Sequence, residues 1–293
     1  MRKARAYLVA LSACLLGCAQ PAAADLLKPF KDDLFAYPAQ LASDDGGRHR
    51  TFDYRERRDI NQRDEVPERR VHSRYVDFAP RSSQKDQIAR TDVARIAHVT
   101  VGAAENARFI VVYLHGQGGS RQQGMADRTF GGNFNRLKNL AHRNGGLYLT
   151  TDFSDFGAKG ARQVSSLVMH YAGRSPKAKA FVACGSMGGA LCWLLANDAE
   201  VAPRLGGLLL LGSHWDETFF ASRGFKAKVP LFFGHGGGDK VFPVARQEAF
   251  FRSILRRAPN YPVRFARFET GSHGTPIRMT DWRETLNWMD SIR

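Results

Sequence analysis

The chain predicts an α/β fold, a mostly parallel central sheet with helices on both faces and no large lid domain. Three observations in its 293 residues predict it. From about residue 91, short apolar runs rich in β-branched residues alternate with segments of helical periodicity. Residues 109–114, Phe-Ile-Val-Val-Tyr-Leu, are apolar at every position, as a strand covered on both faces must be. Glycine-rich turns follow the predicted strands, at the strand ends where open α/β sheets place their chemistry. Hydrophobic residues make up 43% of the chain, enough for one sizeable core.

The elements follow in order. Residues 95–101 alternate apolar and polar and predict a strand, and 109–114 predict the central one. Helical spacing over 134–141 ends at Asn144-Gly145-Gly146, a C-terminal stop. A strand at 147–151 and a helix at 163–171 come next. Residues 179–183 form a strand running into Cys184-Gly185-Ser186-Met187-Gly188-Gly189, and 190–196 continue as an apolar helix. Strands at 208–211 and 230–233, a helix at 244–255, a strand at 263–268 and a helix at 282–292 complete the series. The 212–229 connection is too short for a lid domain.

The first 90 residues read differently. A basic start, Met1-Arg2-Lys3-Ala4-Arg5, precedes an apolar stretch at 7–17 and then Ala22-Ala23-Ala24. This is the pattern of a bacterial-style signal peptide over 1–24. Leu15-Leu16-Gly17-Cys18 also resembles a lipoprotein signal ending at 17, which would place a lipid anchor on Cys18. Both routes export the protein, to the periplasm, to an anchored position on the outer membrane, or to the medium.

Residues 25–90 are expected to form an irregular, Arg-rich N-terminal arm, with the main domain at 91–293. Between 48 and 74 lie nine arginines and six acids, a mixed-charge stretch rather than a polybasic tether. The formal net charge is +15, and loss of Arg2, Lys3 and Arg5 with the signal leaves +12. Such a surface favours an anionic envelope partner. No nucleic-acid motif accompanies the charge, and export argues against that partner. Cys184 and Cys192 read as two small buried residues, with a disulfide open to them in an oxidising compartment.

The turn after the 179–183 strand carries the chemistry. Ser186 stands between a buried strand and a helix, in a turn that needs small neighbours. The strict G-x-S-x-G pattern is broken, because Cys184 stands where it has glycine. A serine hydroxyl needs a base to become a nucleophile. His273, in Gly271-Ser272-His273-Gly274 between the last strand and the last helix, is the candidate. Asp239, after the 230–233 strand, is the candidate acid to orient it, with Asp216 as the alternative. An oxyanion would be held by the backbone N–H groups of Met187 and Gln117. Trp215, Phe219, Phe220 and Phe225 either line an acyl pocket or pack the 212–229 segment down. Arg121, Arg128 and Arg162 fall in loops on the same side and could meet an anionic group.

Leu114-His115-Gly116-Gln117-Gly118, Gly185-Ser186-Met187-Gly188-Gly189, the 235–243 turn and Gly271-Ser272-His273-Gly274 together resemble the α/β-hydrolase superfamily. The resemblance is nearest to dienelactone-hydrolase-like and acyl-thioesterase-like carboxylesterases and spans 109–275. It implies cleavage of an ester, thioester or amide through an acyl-enzyme on Ser186, with no metal and no cofactor. The expected substrate is a small-molecule or lipid-like carboxylic ester. A peptidase or acyltransferase acting on cell-envelope material would use the same residues. A surface lipoprotein keeping the fold as a non-catalytic binding module is the alternative from another class.

Overall fold

A computed structural model describes residues 25–65 and 70–292. The predicted signal segment, with Cys18, lies outside the described residues. The strands are β1 (Gln40–Asp44), β2 (His49–Phe52), β3 (Asp64–Glu65), β4 (Arg70–Val71), β5 (Lys85–Arg90), β6 (Arg95–Gly102), β7 (Phe109–Leu114), β8 (Leu147–Thr151), β9 (Lys179–Gly185), β10 (Leu205–Leu211), β11 (Leu231–Gly236) and β12 (Val263–Phe268). Ten of them form one sheet in the order β1-β2-β12-β11-β10-β9-β7-β8-β6-β5, and β3 pairs with β4 separately. The run from β2 through β8 is parallel, while β1, β6 and β5 are antiparallel to their neighbours.

The two-residue period of β7 divides the core. Ile110, Val112 and Leu114 pack with Leu167, Leu191 and Phe250, from the helices Ala158–Arg174, Gly189–Asn197 and Val244–Arg257. Phe109, Val111 and Tyr113 face the other way, onto Leu137 and Leu140 of the Asn133–Arg143 helix and the cluster that holds Trp282 and Leu286 of the Trp282–Ser291 helix. Both faces of the sheet are therefore covered, as the unbroken apolar runs require.

The arm is not irregular. It supplies β1, β2, β5 and the helix Glu56–Arg63. β2 joins the parallel sheet beside β12, with His49 opposite Phe265 and Phe52 opposite Phe268. His49 and Phe52, at its two ends, are buried. Arg50 between them pairs with Glu284 at 2.5 Å and lies over Tyr37 and Phe52. Arginines that are paired and stacked in this way look, in sequence, like a solvated charge run. β5 likewise lies before the expected boundary at 91, yet pairs with β6 along its whole length.

Two further points concern the core. Phe219 packs on Trp193, Phe220 on Phe250, and Phe225 stacks on Tyr261, so these aromatics bury the 212–229 segment. Cys184 and Cys192 form a disulfide rather than two separate buried thiols. Cys184 is in β9 and Cys192 in the helix that doubles back over it, which brings their Cα atoms to 6.3 Å across the turn. No helix among the described residues is long and apolar enough to cross a membrane.

Closing so short a loop in the unfolded chain is worth about 2.5 kcal/mol by loop entropy. A Cys184→Ser, Cys192→Ser double variant should lose stability on that order in urea titrations. An unchanged unfolding midpoint would show that the cross-link does not restrain the turn.

Candidate active site

Ser186 directly follows β9 and has φ at +52°, a left-handed conformation unusual for a side-chain-bearing residue. A 3-10 turn, Ser186–Gly188, follows at once and runs into the Gly189–Asn197 helix. The reversal brings neighbouring loops very close. A Cβ on Gly116 would lie 2.7 Å from the Ser186 Cβ, and one on Gly188 would lie 2.7 Å from the His115 carbonyl oxygen. Only glycine fits at either place. The Ser213 hydroxyl, just past β10, donates to the Ser186 carbonyl at 2.7 Å and braces the turn.

His273 reaches this serine from the loop after β12. Its Nε2 lies 2.8 Å from Ser186 Oγ, and its Nδ1 lies 2.8 Å from Asp239 Oδ2. With Nδ1–H donating to the carboxylate, Nε2 keeps a lone pair directed at the serine hydroxyl. Asp239 Oδ1 accepts from the backbone N–H groups of Val241 at 2.8 Å and Phe242 at 3.0 Å. Burial opposes a charge on Asp239. The hydrogen bonds from His235, His273 and these two backbone groups outweigh it and hold the carboxyl far below the usual carboxylate range.

The alternative acid is committed elsewhere. Asp216 Oδ1 accepts from the Thr218 N–H and hydroxyl and starts the Glu217–Ala221 turn. The other histidines do not reach Ser186. His115 stacks on Phe153 and bonds the Gly116 carbonyl. His235 backs the acid rather than the serine. Its Nε2 lies 2.8 Å from the Phe242 carbonyl and 3.3 Å from Asp239 Oδ2, which supports the acid from behind. Its place beside the glycines at the end of a strand was the only signal for this. Ser213 carried none.

Met187 is the first residue of the helical turn after Ser186, and Gln117 follows the glycine that touches Ser186. Of the loop arginines, Arg121 is engaged by Asp86 and Asp152, and Arg128 bonds the Val71 carbonyl. Arg162 borders a separate cleft with Asp198 and Glu200. A cavity of about 1140 Å³ opens at the opposite ends of the strands, beside Phe109, Lys179 and Leu205, remote from Ser186. No cluster of three or more His, Cys, Asp or Glu residues suited to a metal ion occurs among the described residues.

No family model matches the sequence, and no curated protein matches it. The fold is nonetheless similar to solved structures. An esterase from Pyrococcus furiosus aligns with a TM-score of 0.53 at 14% identity, over 73% of this chain and 95% of that one. An alpha-beta serine hydrolase homologue from Coxiella burnetii aligns at 0.53 and 16%, over 71% and 97%. A protein of unknown function from Agrobacterium tumefaciens, provisionally described as an alpha/beta hydrolase, aligns at 0.56 and 16%, over 70% and 95%. At these identities the likeness establishes the α/β-hydrolase fold, as the motifs implied.

The depressed Asp239 carboxyl sets a pH signature. A carboxylate stabilised by folding contributes above its unfolded pKa of about 3.9, and that contribution is lost as pH falls toward the lower folded value. Asp239→Asn should therefore be less stable than wild type at neutral pH, with the difference narrowing below about pH 4. Thermal melts of both proteins across that range would check it. A difference that stays constant into acid would rule the charged, hydrogen-bonded carboxylate out as its source.

Proposed function

We propose that the protein is an exported serine hydrolase that cleaves a carboxylic ester through an acyl-enzyme. The observation that carries this reading is the continuous relay from Asp239 through His273 to Ser186, with both contacts at 2.8 Å. His273 Nε2 takes the hydroxyl proton as Ser186 Oγ attacks the ester carbonyl carbon. Asp239 fixes the tautomer and stabilises the imidazolium. The tetrahedral oxyanion forms beside the backbone N–H groups of Met187 and Gln117. Collapse breaks the bond to the alcohol, which leaves with the proton from His273. Water, activated by the same histidine, then releases the acid and restores Ser186.

Supporting details point the same way. Phe153 and Phe156 lie beside His115, and Phe242 lies 5.7 Å from the His273 ring, so apolar rings stand beside two of the loops that converge on the serine. Val241, next to Phe242, is more than half exposed. This suits a small or lipid-like acyl group. One of the similar folds is named an esterase. The Cys184–Cys192 disulfide agrees with an oxidising compartment and hence with the leader-like N-terminus. The net positive charge favours work at an anionic envelope surface.

A fluorophosphonate probe should label the purified protein, and short-chain nitrophenyl esters should be turned over. Ser186→Ala should abolish both, and His273→Ala should lower kcat by about 10⁴-fold or more. Labelling that survives Ser186→Ala would remove Ser186 as the nucleophile. Absence of labelling and of turnover in the intact protein would favour a binding module that keeps the fold.

A further inference from the structure

The loop that carries His273 is not held by the hydrolase-like part of the chain alone. The N-terminal arm grips it at three points. Tyr54 offers its carbonyl oxygen to the Thr270 N–H and hydroxyl, each at 3.1 Å. Glu56 accepts from the Ser272 hydroxyl at 2.8 Å through Oε1. Its Oε2 accepts from the Thr275 hydroxyl at 3.0 Å and the Ser272 N–H at 3.2 Å. Asp64 takes the Arg278 guanidinium in a two-pronged pair at 3.0 and 2.6 Å. Ser272 and Thr275 bracket His273, so one carboxylate ties down both sides of the histidine.

The loop needs such a tie. It has glycines at 271 and 274, immediately around Ser272 and His273, and glycine leaves backbone freedom. Asp239 orients the imidazole ring but does not hold the loop backbone on the Ser272 side. The ring must meet Ser186 and Asp239 at hydrogen-bond length together, and a shift of about 1 Å in such a group can cost on the order of 10²-fold in rate.

We propose that Glu56 is a positioning residue for His273, fixing the loop so that the imidazole keeps both contacts. This rests on the reading of His273 as the base. The test compares Glu56→Ala and Glu56→Gln with wild type. Glutamine keeps one oxygen to accept from the Thr275 hydroxyl and the Ser272 N–H, and its NH2 can donate to the Ser272 hydroxyl oxygen; alanine keeps neither.

Glu56→Ala should lower kcat for a nitrophenyl ester by about 10- to 100-fold, with KM nearly unchanged. Glu56→Gln should recover most of the rate. A second readout needs no turnover. The downfield proton of the His273–Asp239 hydrogen bond, identified by its loss in Asp239→Asn, should be sharp in wild type and Glu56→Gln and broadened in Glu56→Ala. If wild type hydrolyses no ester, the hydrolase reading falls while the proton signal still tests Glu56. Should Glu56→Ala fail to fold, Ser272→Ala with Thr275→Val removes both hydroxyl contacts from the loop side and leaves only the Ser272 N–H, and losses in the same direction are expected. Wild-type kcat together with an unbroadened proton in either variant would overturn the proposal.

Discussion

The left-handed backbone of Ser186 is the constraint around which the rest is arranged. A residue with a Cβ pays of order 1 kcal/mol to stand there, and it stays only if its surroundings leave no alternative. The sheet register supplies those surroundings. Leu114 lies opposite Cys184 and Leu211 opposite Gly185, so β7 and β10 end level with the turn. The loop after β7 brings Gly116 against the serine, and the loop after β10 brings Ser213 to its carbonyl. The disulfide joins the strand before the turn to the helix after it. Cysteine in place of the usual glycine at 184 is thus not a weakened motif. Its side chain points into the core and there takes part in holding the turn.

A second constraint is electrical. The Asp239 side chain is fully buried, and a buried carboxylate is costly unless it is paired and hydrogen-bonded. Two backbone N–H groups satisfy one oxygen, and His273 and His235 face the other. The turn from 236 to 243 exists to close around this charge. An acid so well solvated by fixed dipoles stays ionised beside a positively charged imidazole, which is what the proposed role of His273 as a base requires.

Legibility in the sequence followed the strength of local periodicity. Every strand and helix expected after residue 91 is present, because apolar runs and glycine stops are signals carried within a few residues. Ser186, His273 and Asp239 stood out for the same reason, each following a strand among glycines, and the structure brings the three side chains together. What was not readable depends on partners far away in sequence. Arg50 looks solvated until Glu284 is beside it, and Glu56 looks like one charge among many until Ser272 and Thr275 arrive. Cys184 and Cys192 needed the strand-to-helix reversal before their distance could be known.

The arm therefore belongs mechanically to the frame that holds Ser186 and His273. Without β2, β12 would be an edge strand presenting Phe265 and Phe268 with unpaired backbone groups. β12 is also the strand that delivers the His273 loop. Pairing along β12 by β2 fixes where that loop begins, since the Glu269 N–H bonds the Phe52 carbonyl and the Thr270 N–H bonds the Tyr54 carbonyl. Glu56 and Asp64 then fix where it ends. The outer face of the hairpin passes the edge on to β1, a short strand with every residue exposed and Asp44 at its end, which is poorly suited to pair with another chain. One stretch of mixed charge thus closes the sheet edge through β2 and frames the histidine through Glu56 and Asp64.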